Sequence, residues 1–385
     1  MKQLLGASAA IALGASGALA GGIDRSNQPI GAIFNDVGEQ GYALQLSLGN
    51  VSPEANGTYG GGAASVSDPL SSYNQAGAAV KKQISDQLSL SLIYDQPFGA
   101  NVNYQTGIPF FGGKANIDSD SFTALALYKL DSGFSVYGGV RSLSVGGEIF
   151  TVFSSPTTTP ALLEADSDTG FGLVGGVAYE RPDIALRVAL TYSSEIDLTF
   201  SGTESTIGTI GGIPNVNGAR AFSQSTTFDM TFPESVNLDF QSGVAEDTLL
   251  FGSIRWAGWG GFNLTTDSRG LATKPDAAEY VRLDEDTYTF NLGVGRRITD
   301  EFSMAVSYTY EDRGNEPSTT ALAPTTGLQS ITIAGNYDAG NGVTISGGIT
   351  IGEPGKQIVE NGLVGDVTFD DNKVRGVGVR IGYAF

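Results

Sequence analysis

Neither cysteine nor histidine occurs anywhere in the 385 residues. Without cysteine there are no disulfides and no thiolate metal sites. Without histidine the usual general base, the commonest metal ligand and the Ser-His-Asp triad are all missing. Carboxylate or lysine chemistry survives that cut, but no Ser, Lys or carboxylate constellation stands out. An enzyme, a cofactor and a metal site are therefore not expected. Basic residues are scarce as well: 21 Lys and Arg stand against 41 Asp and Glu, a net charge of -20. Nothing offers the basic surface that phosphates require, which excludes nucleic acid as a partner. Long apolar runs are also absent, because no stretch after Ala20 approaches the ~18 consecutive apolar residues of a spanning helix. That last absence does not exclude a membrane. Barrel strands alternate lipid-facing and lumen-facing residues, so their mean hydropathy is close to zero, as it is in this chain.

The first residues set the compartment. Lys2 supplies a positive start, Leu4 to Leu19 an apolar run, and Ala18-Leu19-Ala20 a small-x-small cleavage site before Gly21. This reads as a secretory signal peptide over residues 1–20, with the mature chain starting near Gly21. The 54 Gly, 15 Tyr and 20 Phe suit tight turns and aromatic girdles. They suit a soluble exported β-protein equally well.

From residue 42 the pattern is strand, turn, strand, loop. Val377, Val379, Ile381, Tyr383 and Phe385 share one face of the last segment, with Gly376, Gly378, Arg380, Gly382 and Ala384 on the other. Phe302 to Tyr310, Ile184 to Tyr192 and Leu88 to Tyr94 alternate in the same way. Strands of roughly 10–15 residues exceed the usual soluble length and fit a tilted crossing. Connections alternate too. Short turns fall at 85–86, 131–133, 181–183, 245–247, 299–300 and 338–341. Longer loops lie around 53–71, 105–116, 150–168, 202–227, 260–283, 311–327 and 352–370. With both termini on one side, these turns give an all-β, antiparallel transmembrane barrel of about fourteen strands. Residues 21–41 precede it as a periplasmic tail or a small plug. The terminal Tyr383 and Phe385 have the form of a signal read by the barrel-assembly machinery.

Three segments, Phe232 to Val236 with Phe251 to Phe262, Gly170 to Pro182 with Tyr192 to Ile196, and Tyr94 to Gly99, resemble the FadL/TodX family of outer-membrane transporters of hydrophobic compounds. Phe232-Pro233-Glu234-Ser235-Val236, followed by Phe251 to Phe262 with Trp256 and Trp259, is similar to that family's Pro-containing strand and W-x-x-W-x-x-F strand end. Gly170-Phe171-Gly172 to Pro182, then Tyr192 to Ile196, is similar to another typical hairpin. Tyr94-Asp95-Gln96-Pro97-Phe98-Gly99 looks like its kinked third strand. The resemblance implies a monomeric fourteen-stranded barrel in the outer membrane. Ligand would be captured among external loops and leave sideways at the kink, for which Pro97 and Gly99 are the candidates. It implies passive uptake of long-chain fatty acids or similar compounds; a general porin or a structural barrel is the alternative. The family's longer N-terminal plug, with its Asn-Pro-Ala, has no counterpart here, which suggests a more open lumen.

If the apolar faces meet lipid, Arg141, Arg187, Arg255, Arg296 and Arg380 fall in the lumen. There they would either hold a carboxylate head group or pair with lumenal Asp and Glu such as Asp95. Phe150, Val152, Phe153, Leu162, Leu163, Ile207, Ile210 and Ile213 are unusually apolar for external loops. They would line a capture groove or pack loop on loop. Trp256 and Trp259 fit the external girdle, and Tyr128, Tyr137 and Tyr179 the periplasmic one. The acidic runs at 164–168 and 284–286 would bridge to lipopolysaccharide through divalent cations or simply be solvated. Gly170 to Gly175 matches G-x-G-x-x-G, but it lies in a strand with no helix after it, so a dinucleotide site is discarded.

Overall fold

The computed structural model describes residues 23–25, 29–105, 109–151, 161–207, 209–210, 213–214, 220–266, 278–312, 318, 320–361 and 364–385. The expected signal peptide lies outside them. Fourteen wall strands run in chain order. These are β1 (Tyr42–Tyr59), β2 (Tyr73–Gln83), β3 (Leu88–Asp95, continuing as Gly99–Asn103), β4 (Lys114–Lys129) and β5 (Phe134–Thr151). Then come β6 (Ala161–Arg181), β7 (Leu186–Ser193, continuing as Ile196–Ile207), β8 (Arg220–Phe232, continuing as Ser235–Ala245) and β9 (Thr248–Ala257). The circuit ends with β10 (Thr287–Arg297), β11 (Phe302–Glu311), β12 (Thr326–Gly340), β13 (Val343–Gly355) and β14 (Val367–Ala384). Each pairs antiparallel with the next, and β14 returns to β1 in a ladder from Ala43↔Ala384 to Thr58↔Thr368. Closure gives every wall strand a partner on each side, as hydrocarbon demands, because lipid cannot hydrogen-bond stray backbone groups. Among the described residues no helix is long and apolar enough to cross a membrane; the strands do the crossing.

The lower connections, at 84–87, 130–133, 182–185, 246–247, 298–301 and 341–342, are the six short turns the sequence predicts. Around the lower wall the apolar side chains point out. Leu46, Leu48, Leu90, Leu92, Leu190, Leu292 and Ile349 are exposed, while Ser89, Ser91, Thr123, Ser135, Thr191 and Thr332 are buried within. A soluble sandwich would do the reverse, since water penalises a continuous apolar exterior.

Higher up, the parity inverts. Ile196, Leu198 and Phe200 on β7, and Phe228, Met230 and Phe232 on β8, are buried inside. Outside, Thr199 donates to Asp229 (2.7 Å) and Thr231 donates to Asp197 (2.7 Å). The switch occurs at Ser194–Glu195 and Pro233–Glu234, where both strands break side by side. A one-residue slip moves every following side chain to the other face. Above the slip the inner face is therefore apolar and the outer face polar, the reverse of the lower wall.

Two expectations are corrected here. The regions 150–168 and 202–227 are in large part strand: β5 reaches Thr151, β6 begins at Ala161 and has 21 residues, and the upper β7 reaches Ile207. Of the apolar residues placed in those loops, Phe150 and Leu163 are buried side chains of the upper strands β5 and β6. Arg296 lies on the outer face, exposed, with Nη1 donating to Thr248 Oγ1 (2.9 Å). It shares parity with Leu292 and Val294, and strand alternation carries it outward with them. Arg297 has the opposite parity and pairs with Asp247 in the lower turn.

The N-terminal segment lies inside the lower lumen. A 3-10 turn, Pro29–Phe34, buries Ile30, Ala32 and Ile33 among Ile93, Leu127, Tyr137, Val174 and Ala189. Phe34 meets Tyr137 edge-on at 5.8 Å, and Arg187 sits 4.7 Å over the Phe34 ring. Lys81 Nζ donates to the Asn35 carbonyl (2.7 Å). Tyr137 therefore points inward rather than joining a periplasmic girdle, and the lumen is occupied where the short N-terminus suggested an open one.

Candidate functional site

Strand β3 breaks where the sequence places a kink. Its lower piece pairs with β2 up to Ala78↔Tyr94, and above that the ladder stops. Residues 73–77 of β2 then face Asp95–Gly99 without ladder pairing, until contact resumes at Leu70↔Val102. Pro97, lacking an N–H, suits this interruption. Residues 23–25 occupy it from within: Gly99 N donates to Ile23 O (2.9 Å) and Arg25 N donates to Pro97 O (2.7 Å). Gln75 Nε2 reaches Arg25 O (2.9 Å), and Ala76 N reaches the Gln96 side chain (2.9 Å).

Gly99 is required by close approach. A Cβ there would lie 2.5 Å from Arg25 Nη1 and 2.9 Å from the Ile117 carbonyl. The Gly99→Ala variant should therefore push Arg25 off Asn101 and Tyr73, its present partners at 2.8 and 3.6 Å. We expect about 1–3 kcal/mol of lost stability, as for other overpacked sites. The check is faster trypsin cleavage after Arg25 in the folded barrel.

Above the kink the interior is apolar. Phe98 lies 4.8 Å from the Phe232 ring and 5.7 Å from Trp259; Phe262 lies 5.0 Å from Trp259 and 5.9 Å from Phe232. Leu143, Val145, Ile149, Phe150, Leu163, Leu198 and Phe200 continue the cluster upward. An outer hairpin, Phe262–Thr266 with Ala278–Leu283, caps it with Leu264, Tyr280 and Leu283. Burial, then the bond it donates to Glu204 (2.6 Å), holds the Tyr280 phenol well above its ordinary range. Burial does the same for Tyr104, whose hydroxyl donates to Ala321 O (2.7 Å). Both phenols stay neutral at physiological pH, so neither adds charge to the apolar interior.

The predicted residues divide among these surroundings. Phe150 and Leu163 are buried in the cluster, and Leu162 packs against it. Ile207, Ile210 and Ile213 lie on strand pieces described in backbone alone; Val152 and Phe153 are outside the described residues. Trp256 is partly exposed, its indole donating to Asp286 Oδ2 (2.9 Å). Trp259 is 0% exposed, so a girdle role for it is corrected. The chain leaves the wall after Ala257, and the next turn carries that ring inward. Of the arginines, Arg255 is buried, with Nη2 on Asp24 Oδ2 (2.7 Å) and Nη1 on Asn237 (3.2 Å). Arg141 donates to Thr123 Oγ1 (3.2 Å) and feels the charges of Asp95 and Asp24. Arg380 is buried at a lower cavity of about 300 Å³, lined also by Asn35, Asp36, Gln45 and Ser346.

Sequence reasoning missed Asp24, Arg25, Phe98 and Phe232. Phe98 lies inside the quoted Pro97-Phe98-Gly99 motif and Phe232 directly precedes Pro233, so adjacency to the backbone breaks was the available signal. Asp24 and Arg25 had none, because their partners are remote in sequence.

The family model described as "Outer membrane protein transport protein (OMPP1/FadL/TodX)" matches residues 47–368. The chain belongs to this family. Its place is accordingly the outer membrane, and its family transports hydrophobic compounds. Among solved structures, a FadL homologue from Pseudomonas aeruginosa is 14% identical with a TM-score of 0.75, covering 99% of this chain and 98% of that one. The Pseudomonas putida toluene transporter TodX is 14% identical with a TM-score of 0.68, covering 97% and 99%. The Ralstonia pickettii toluene transporter TbuX is 13% identical with a TM-score of 0.60, covering 90% of each. At such identities the likeness is one of fold. No curated protein matches the sequence.

Proposed function

We propose that this family member is a passive channel for hydrophobic molecules, long-chain fatty acids or hydrocarbons, and that it catalyses no reaction. The carrying observation is the apolar cluster inside the upper barrel, which meets the β2–β3 interruption directly at Phe98. Ligand enters among the upper strands and hairpins and crosses past Phe232, Trp259 and Phe98. It leaves sideways where residues 23–25 lie against the kink. Binding comes from apolar burial, and no energy source is needed because movement follows the concentration gradient.

The interior favours a neutral hydrocarbon over a carboxylate. Arg255 is already committed to Asp24, and the cluster is rich in aromatic rings suited to a planar ligand. The toluene transporters among the structural neighbours agree with that preference. Residues 1–20 direct export, Tyr383 and Phe385 provide the assembly signal, and a monomer in contact with lipopolysaccharide completes the reading. Phe385 stacks on Tyr42 at 5.3 Å, tying the chain's end to its first strand.

The test is uptake of labelled toluene and labelled oleate by cells lacking their own transporter, with and without this protein. Saturable toluene uptake exceeding oleate uptake is expected, with a decrease when Phe150 and Leu163 are replaced by serine. Uptake of neither, alongside leakage of small polar solutes, would leave a general porin instead.

A further inference from the structure

The wall contains a second and longer break, between β6 and the upper piece of β7. Below it, β6 pairs with β7 up to Val174↔Ser193; above it, pairing resumes at Ala165↔Gly202. Between those points no ladder pair joins the two strands, although β6 stays paired with β5 on its other side. The edges overlap instead. β7 tucks inward, so that a Cβ on Gly170 would lie 2.5 Å from the Asp197 carbonyl and 2.7 Å from Ile196 Cγ2, and one on Gly172 2.7 Å from Ile196 Cγ1. Isolated hydrogen bonds bridge the edges: Ser194 N to Leu173 O (2.8 Å), Leu173 N to Ser194 Oγ (2.9 Å) and Thr199 N to Asp168 Oδ2 (2.9 Å). Two of these depend on a side chain.

We propose that this seam is a second lateral passage, joining the outer leaflet to the inner apolar cluster, with the Ile196 side chain as its gate. Both sides are suited to an apolar molecule. On the lipid side Phe171 and Leu173 are 73% and 65% exposed, the flanking ladder strand being displaced inward. On the inner side Ile196 and Leu198 belong to the cluster that reaches Phe232 and Trp259. The two glycines present no side chain to Ile196, so its side chain closes the seam directly against bare backbone. A continuous ladder would seal the wall with regularly spaced backbone bonds, and the seam replaces them with contacts that rotamer changes release. The outer rim selects by charge. Glu195 and Asp197 are exposed beside it, and they repel a fatty-acid anion while leaving a neutral, toluene-sized molecule unaffected. The inference rests on the channel reading and deepens it, since it names neutral hydrocarbons as the molecules that use this route.

The chain has no cysteine of its own, so paired substitutions give clean cross-links. Asp168→Cys with Thr199→Cys locks the seam, and Ala76→Cys with Gln96→Cys locks the interruption at the kink. The readout is the initial rate of labelled toluene uptake by cells carrying each protein, oxidised and then reduced. If flux divides between two passages, oxidising the seam pair lowers the rate by about half and reduction restores it. Ile196→Ala, which removes the gate while keeping the strand, raises the rate. An unchanged rate in both the oxidised seam pair and Ile196→Ala, with uptake abolished by the oxidised kink pair, overturns the second passage and leaves the channel reading standing. No toluene uptake by the unsubstituted protein refutes both.

Discussion

Trp259→Ala is expected to lower the melting point of the folded barrel sharply and to reduce toluene uptake severely. The side chain is fully buried and holds Phe98 and Phe262 in edge-on contact at 5.7 and 5.0 Å. Removing a large buried aromatic typically costs about 3–5 kcal/mol, from lost burial and the cavity left behind. Each aromatic pairing lost adds about 0.5–1.5 kcal/mol. The cavity would open at the junction between the upper cluster and the kink, on the proposed path. Phe98 would lose its support, and the kink its inner wall. The measurement is the temperature at which the compact band of the unboiled barrel converts to the extended one on a gel, read beside the uptake rate. Phe262→Leu, which keeps most of the volume, should shift both far less. If Trp259→Ala melts and transports like the parent, the ring is a passenger and the path lies elsewhere.

Asp24→Ala is expected to detach the N-terminal segment. The Asp24 carboxylate and the Arg255 guanidinium meet at 2.7 Å, with side chains only 1% and 10% exposed. Removing one member of a buried pair leaves an uncompensated charge, at a cost of about 3–5 kcal/mol, whereas a pair replaced together is often neutral. Attachments that stay include Arg25 on Pro97, Asn101 and the Tyr73 ring, Gln75 on the Arg25 carbonyl, and Gly99 on Ile23. None of them neutralises the stranded Arg255 guanidinium, which favours release of the segment to let water in. We therefore expect trypsin to cut after Arg25 and small polar solutes to leak through the loosened lumen. The double variant Asp24→Ala, Arg255→Met should recover much of the protection, because no charge is then stranded. Failure of the double variant to recover would show that Asp24 acts through some other contact.

The identities of neighbouring side chains thus matter most where sequence reading was weakest. Arg141, Arg187, Arg255 and Arg380 were legible as inward-facing because strand alternation alone decides a side. Arg296 was misplaced by one position in that same alternation. Trp259 failed for another reason: period-2 reasoning assumes that the strand continues, and β9 ends at Ala257.

The sequence by itself determined the closed antiparallel barrel, its strand number and its short lower turns, because each is a local property. Alternation, turn residues and connection lengths are written along the chain, and lipid leaves a closed barrel as the way for strands to satisfy their backbone. Motif resemblance added the family and the kink at Pro97 and Gly99. Only the tertiary structure decided that the apolar face turns inward in the upper strands, since the slips at Ser194–Glu195 and Pro233–Glu234 send every following side chain to the other face. It alone decided that Asp24 meets Arg255 and that residues 23–25 lie against the kink. It alone showed that β7 overlaps β6 at Gly170 and Gly172. Those contacts join residues far apart in the chain, and their energy comes from desolvation and close packing that no local pattern encodes.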